Sequence, residues 1–422
     1  MIAPELRPPV PESAVWLNRR RIRSQAIILA LCLWGVCAVD YATPGIFDRA
    51  GNIKFQDFIQ FLISARLIAQ GRAASLYDAR VLNDQIAAIT GSTNVYLEYY
   101  YGPQVALPFQ ALTGFSFLTQ AGIWVALSLL IYFACVYLLW RTCSALRPYP
   151  RLVALCAVAY PPLFHFFVRG QLSVLILLCF TCAYLAFRAR RDWLAGIALG
   201  CLAFKPQFLV AILLVLLFAQ AWKLLVSMML SAAAQLASTL IYFGPAVMRL
   251  YLSRLFHGAV HPDLAELIFS PIQMHSLRSF WALVIPWPAA VSTLYFLSSV
   301  AVIAIAGAVW KSCAPLPHRF SALILAAILV NPHLYVYDLL GMAPVFLLMA
   351  AWALNHQQHP STPALRLLLY FAFMLPLFGP LSRWTHLQLS VAAFATLLCL
   401  IWRCSRRSSD ASPLASGESG VV

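Results

Sequence analysis

Three isolated polar residues could do chemistry in this very apolar sequence. They are Asp57 heading "DFIQFLISAR", Lys205 in "LAFKPQFL" and His333 in "NPHLYVYDLL". Asp57, Gln60 and Ser64 are spaced i, i+3, i+7, so a helix displays them on one stripe. Phe58, Phe61, Leu62 and Ala65 occupy another face, suited to lipid headgroups or a protein core. A carboxylate at the head of such a helix can take a proton from an alcohol. It can equally serve only as the N-cap, and the spacing does not choose between the two. Lys205 precedes Pro206 inside one apolar block. Proline removes a backbone donor, and an ammonium in hydrocarbon is expensive unless it faces a polar cavity. Residues 193–220 therefore read as two half-length helices meeting at Lys205.

Further candidates lie at the ends of apolar runs. Arg169 and Arg278 can grip phosphate oxygens in a bidentate fork, where Lys205 acts as a point charge. An arginine there can also simply snorkel to headgroups. His333 follows Asn331-Pro332, with Tyr337 and Asp338 about one turn on. Gln171, Gln207 and Gln273 can hydrogen-bond sugar hydroxyls or phosphate, and Tyr99 to Tyr101 offer faces for a sugar ring or a membrane interface. The acids show no DxD pair, and there is no Walker loop or GxGxxG, so neither a metal nor a nucleotide or other cofactor is expected.

The elements that must position these residues follow from composition. The chain has 422 residues, 62% hydrophobic and 10% charged, with a mean hydropathy of +0.80. That pattern belongs to an all-α, polytopic membrane protein. The net charge of +15 does not point to nucleic acid. Arg19 to Arg23, Arg188 to Arg191 and Arg403 to Arg407 flank spans, as the positive-inside rule produces. The eleven cysteines avoid the two long polar loops, so no external disulfide framework is expected.

Residues 1–24 read as a cytoplasmic segment, 25–404 as the membrane domain and 405–422 as a cytoplasmic disordered tail. Within the membrane domain about 12 helical elements are expected. They lie near 25–41, 120–140, 151–168, 171–187, the two halves of 193–220, 224–243, 287–310, 320–332, 334–354, 364–383 and 387–403. Loops at 42–104 and 244–283 face outward, the first carrying surface helices at 56–70 and 78–90. Residues 105–117 are too short and too interrupted by proline and glycine to span, and read as re-entrant. Six of the fourteen acids fall between Asp40 and Glu98, so polar chemistry gathers on the outer face. A transporter or flippase would place acids in mid-span and show repeated halves; no repeat is seen, and Asp338, close to a span end, is the one candidate acid.

The order of these motifs resembles a known family. The series D-F-x-x-F-x-x-x-A-R from Asp57, "GRAASLYD" at 71–78, "YYYGPQVALPF", "GQLSVLILL", "AGIALGCLAFKPQ", "QMHSLRSF" and "NPHLYVYDLL" is similar to glycosyltransferase family 87 of the GT-C superfamily. The resemblance runs over about residues 25–355. It implies transfer of a sugar, with mannose the default and arabinose the other common choice, from a polyprenyl phosphate donor to a glycolipid or glycan acceptor. It also implies a multi-pass protein of the inner (plasma) membrane, with its site on the extracytoplasmic side and membrane lipids as its surroundings. The acid opening the first loop helix, here Asp57, becomes the general base for an inverting displacement. His333 joins the catalytic site, Lys205, Arg278 and Arg169 hold the donor phosphate, and Gln60, Gln171, Gln207, Gln273, Tyr101 and Asp338 are candidate sugar or acceptor contacts. The alternatives are a flippase of lipid-linked sugars and another GT-C enzyme, such as a ligase.

Overall fold

The first apolar run folds as α1 (Arg19–Tyr41), opened by Asn18, whose side chain accepts from the Arg21 backbone N–H. The computed structural model describes residues 17–91, 97–260 and 274–410. Beyond α1 come α2 (Phe58–Ala69), a 3₁₀ turn at Ala73–Tyr77 and α3 (Ala79–Thr90). Asp78 caps α3 by accepting from the Arg80 and Val81 backbone N–H groups, and Gly91 ends it in the left-handed region.

The two helices match the expected ranges, and their surroundings differ. On α2 every side chain from Phe58 to Ala65 is buried, polar Gln60 and Ser64 included. Its apolar face has gone to the protein core. The 3₁₀ segment Pro103–Leu112 packs along it, and α3 and the start of α4 (Phe117–Thr142) cover the rest. Phe58 and Phe61 meet Phe109 with ring centroids 5.4 and 5.8 Å apart. Ten residues of 3₁₀ helix rise about 20 Å, short of the ~30 Å hydrocarbon core.

After α4 the helices break where prolines fall. α5 (Pro150–Val158) and α6 (Pro161–Arg169) are bent by 47° across Tyr160-Pro161. α7 (Val174–Arg188) follows, and then α8 (Asp192–Gly200) and α9 (Gln207–Phe218) are separated by a 3₁₀ turn and Lys205-Pro206, as the sequence predicts. α10 (Trp222–Val260) bends at Gly244, whose φ of 79° is non-helical, and Pro245 follows. The expected loop 244–283 therefore begins as helix. The rest comprises α11 (Leu277–Val284), α12 (Pro288–Lys311), α13 (Leu316–Leu329), a 3₁₀ segment Val336–Met342, α14 (Ala343–Asn355), α15 (Thr362–Met374), α16 (Ser382–Thr385) and α17 (Leu389–Asp410). The last helix runs six residues past the boundary expected at 404.

Among the described residues, seven helices are long and apolar enough to cross a membrane, or eight with the bent α5–α6 pair counted once. Five more apolar helices, including α2, α7, α9 and α13, are shorter than a full span. The expected count of about 12 includes such short pieces, and length alone supports seven or eight crossings. α13 forms the centre of the bundle, buried from Phe320 to Leu329 and packed by α9, α12, α14 and α17. α8 and α10 approach closely because Gly196 and Gly200 lie between them. A Cβ on Gly200 would stand 2.4 Å from the Met228 carbonyl oxygen. Ser231 and Gln235 of α10 donate to the Ile197 and Gly200 carbonyls, fastening the half-helix that leads to Lys205.

Candidate functional site

Two chain breaks build the site. The first is Gly170, at φ +67°, which ends α6 by donating to the Phe166 and Phe167 carbonyls. A Cβ there would lie 2.9 Å from Phe58 Cβ, so only glycine lets this turn touch the head of α2. Its two neighbours then close on Asp57. The Asp57 backbone N–H donates to the Arg169 carbonyl (3.1 Å), and the Arg169 guanidinium lies 3.6 Å from the Asp57 carboxylate. Gln171 donates from Nε2 to Asp57 Oδ2 at 2.8 Å.

Asp57 holds the N-cap position of α2, yet its side chain makes no capping hydrogen bond. Capping therefore does not account for the carboxylate. Its side chain is 12% exposed and that of Arg169 28%, so neither member of the pair is fully enclosed. Gln60, one turn on, donates to the Asp57 backbone carbonyl (3.0 Å), with its side chain buried against the helix start.

The second break is Lys205. The residue before a proline is pushed out of the helical region, and Lys205 sits at φ −128°, ψ 76°. Its ammonium donates to Asp338 Oδ1 at 2.6 Å, in a pair whose side chains are 5% and 1% exposed. Ser173 also donates to Asp338 Oδ1, and the Tyr335 backbone N–H reaches Oδ2 at 3.4 Å. Rings flank the ammonium, its Nζ lying 5.8 Å from the Tyr101 centroid and 5.4 Å from that of Tyr337.

The two clusters are joined. Tyr101 donates its hydroxyl to Gln171 Oε1 (3.1 Å), and Gln171 Nε2 also reaches the Tyr337 hydroxyl (3.4 Å). The Tyr101 backbone carbonyl accepts from Tyr77. Burial first, then the Asp338 and Asp57 carboxylates, raises the Tyr101 hydroxyl well above its ordinary value, so it stays a neutral donor. Trp124 donates to the Gln171 carbonyl, fixing the turn from the α4 side.

Seven of the sequence candidates thus form one connected site: Asp57, Gln60, Tyr101, Arg169, Gln171, Lys205 and Asp338. The backbone segments that carry Arg278 and His333 adjoin this site. Met274 and Tyr335 form an antiparallel bridge, His275 donates its backbone N–H to the Leu334 carbonyl (2.8 Å), and Ser276 caps α11, whose second residue is Arg278. His333 is half-buried, its backbone N–H donating to Asn331 Oδ1. Gln207, the first residue of α9, is half-buried two positions from Lys205. Gln273 lies outside the described residues. Sequence reasoning passed over Ser173 and Trp124. Ser173 stands two residues beyond Gln171, and only the fold aims it at Asp338.

Among the described residues, no group of three or more His, Cys, Asp or Glu is arranged to hold a metal ion. All eleven cysteines are free thiols.

No curated protein sequence and no solved structure matches the chain. Among protein families, residues 99–337 match glycosyltransferase family 87. The matched stretch is more than half of the chain. It carries the Gly170 turn, the Lys205 break and Tyr337, whereas Asp57 precedes it. A polytopic helical protein with a match of that extent belongs to glycosyltransferase family 87 and is a membrane glycosyltransferase.

Proposed function

We propose that this protein transfers a sugar, with mannose as the default, from a polyprenyl phosphate to a glycolipid or glycan acceptor at the extracytoplasmic face of the inner membrane. Asp57 acts as the general base. A lipid phosphate is already a good leaving group, so the reaction needs a base for the attacking hydroxyl, cations for the departing phosphate and alignment of the two. In this reading the acceptor O–H donates to the carboxylate oxygen of Asp57, the new C–O bond forms as the C–O bond to phosphate breaks, and the anomeric centre inverts. Lys205 and Arg169, with Arg278 and His333 from the adjoining segments, receive the phosphate charge. Gln207 and Gln273 remain candidate contacts to sugar or acceptor.

The observation that supports this reading best is the state of the Asp57 carboxylate. It is oriented by Gln171 and Arg169, free of any capping role, and accessible beside a paired cation. The test is incubation of the purified full-length protein with radiolabelled polyprenyl-phosphate mannose and a membrane lipid extract. Transfer that survives EDTA and disappears in Asp57→Asn supports the reading. Full transfer in that variant removes Asp57 from the mechanism. Movement of label across the bilayer with no new glycosidic bond would instead support a flippase.

A further inference from the structure

We infer that Tyr101 and Tyr337 are positioning residues that hold base and phosphate cation as one unit, using their hydroxyls for the base and their ring faces for the cation. The inference rests on the reading of Asp57 as base and Lys205 as phosphate cation. Gln171 is the joint. Its Nε2 donates to Asp57 Oδ2 and reaches the Tyr337 hydroxyl, while its Oε1 accepts from the Tyr101 hydroxyl and the Leu172 backbone N–H at 3.3 Å. Both ends of the amide are therefore occupied by protein groups, which suits a bracket better than a sugar contact. Each tyrosine that touches this amide also turns its ring toward Lys205 Nζ, at 5.8 and 5.4 Å.

Geometry gives the second tyrosine a fixed attitude. The Tyr337 ring stacks on that of Tyr335 with centroids 5.3 Å apart and planes 15° apart. Tyr335 is itself tied to the segment bearing His275 and Arg278 through its bridge to Met274. Tyr101 is held from the other side, its ring meeting Phe61 of α2 edge-on at 5.0 Å. A ring on α2's flank and a ring on the 335–338 segment thus bracket the ammonium, while their oxygens meet at one amide. The charged and titratable groups set against Asp57 include Arg169, Tyr101 and Tyr337. A base and a cation on separate chain breaks would otherwise drift independently, and misplacement by about 1 Å can reduce turnover about 100-fold.

The two functions of each tyrosine separate by substitution. Tyr101→Phe and Tyr337→Phe keep the ring and lose the hydroxyl; Tyr101→Leu and Tyr337→Leu lose both. In the full-length protein, with radiolabelled polyprenyl-phosphate mannose as donor, each Phe variant should lower kcat roughly 10-fold with KM for the donor unchanged. Each Leu variant should additionally weaken binding of polyprenyl phosphate itself, read by tryptophan quenching, about 5-fold or more. Gln171→Ala should reproduce the Phe phenotype, and adding Tyr337→Phe to it should bring little further loss. Thermal unfolding of each variant separates these effects from misfolding, with the Phe variants serving if a Leu variant does not fold. Phe variants with an unchanged kcat, alongside inactive Asp57→Asn, would overturn the coupling and leave the base intact. Activity in Asp57→Asn would remove the base, and the coupling with it.

Discussion

Among the described residues two carboxylates are buried, and their surroundings are opposite. Asp338 is saturated, accepting from Lys205, Ser173 and the Tyr335 backbone N–H with 1% of its side chain exposed. Asp57 is directed rather than saturated. It takes one short hydrogen bond from a neutral amide, keeps a guanidinium 3.6 Å away and leaves 12% of its side chain exposed. The same residue type therefore stands in two different electrostatic settings. A charge enclosed by a full set of partners holds structure together, and one with remaining acceptor capacity at an accessible edge can accept a proton from a substrate. In the structure Asp338, a candidate sugar or acceptor contact by the resemblance, is paired with Lys205.

The contrast is sharpest in the two Asp→Asn exchanges. Asp57→Asn is expected to lower transfer by about 100- to 10,000-fold, the usual range for loss of a general base, with the melting temperature nearly unchanged. Activity and thermal unfolding measured on one preparation check both halves. Asp338→Asn should do the reverse in stability, leaving a buried ammonium without its counter-charge at a cost of about 3–5 kcal/mol. The double exchange Lys205→Met with Asp338→Leu should recover much of that stability while failing to bind polyprenyl phosphate. Equal melting temperatures for the two Asn variants would erase the distinction.

Two glycines refine the comparison at lower magnitude. Gly170→Ala places a methyl against Phe58 at a positive φ, so it should displace Arg169 and Gln171 from Asp57 and reduce kcat more than stability. Gly200→Ala pushes a methyl into the Met228 carbonyl, where overpacking costs about 1–3 kcal/mol and should appear first in thermal unfolding.

An effect confined to acid pH concerns His275, whose Nδ1 lies 2.6 Å from Ser390 Oγ in a fully buried position. Burial, and then the nearby His165, hold its pKa down at about 3. An unfolded histidine titrates near 6.5. The unfolded chain thus binds the extra proton first, and stability is full above pH ~6.5 and falls by about 1.4 kcal/mol per unit as pH drops from there toward 3. His275→Gln should flatten that acid-side decline in a melting-temperature series.

Much of the fold was legible because its signals are local. Apolar run length, arginine flanks and proline positions marked α1, α4, α12 and the break at Lys205 without knowledge of any neighbour. The spacing of Asp57, Gln60 and Ser64 predicted a helix, and α2 is there. Its burial was not legible, since an amphipathic stripe reads the same whether the covering surface is lipid headgroups or the segment Pro103–Leu112. The crossings were hardest to count, because short apolar helices such as α7, α9 and α13 look like spans until their ends are seen. In the site, Lys205 was marked by its incongruity in an apolar block. Ser173 and Trp124 carried no such mark, as each is ordinary in its own helix or turn.

Composition and local pattern by themselves determined a helical membrane protein with six of its fourteen acids gathered between Asp40 and Glu98 and its helices broken at Gly170, Lys205-Pro206 and Asn331-Pro332. Tertiary structure alone decided which polar groups satisfy one another. Gln171 reaches Asp57 across 114 positions and Lys205 reaches Asp338 across 133. Helical periodicity carries information over a few turns, whereas a hydrogen bond depends only on distance in space. The difference between a saturated carboxylate and an available one therefore exists only once the breaks have brought distant segments together.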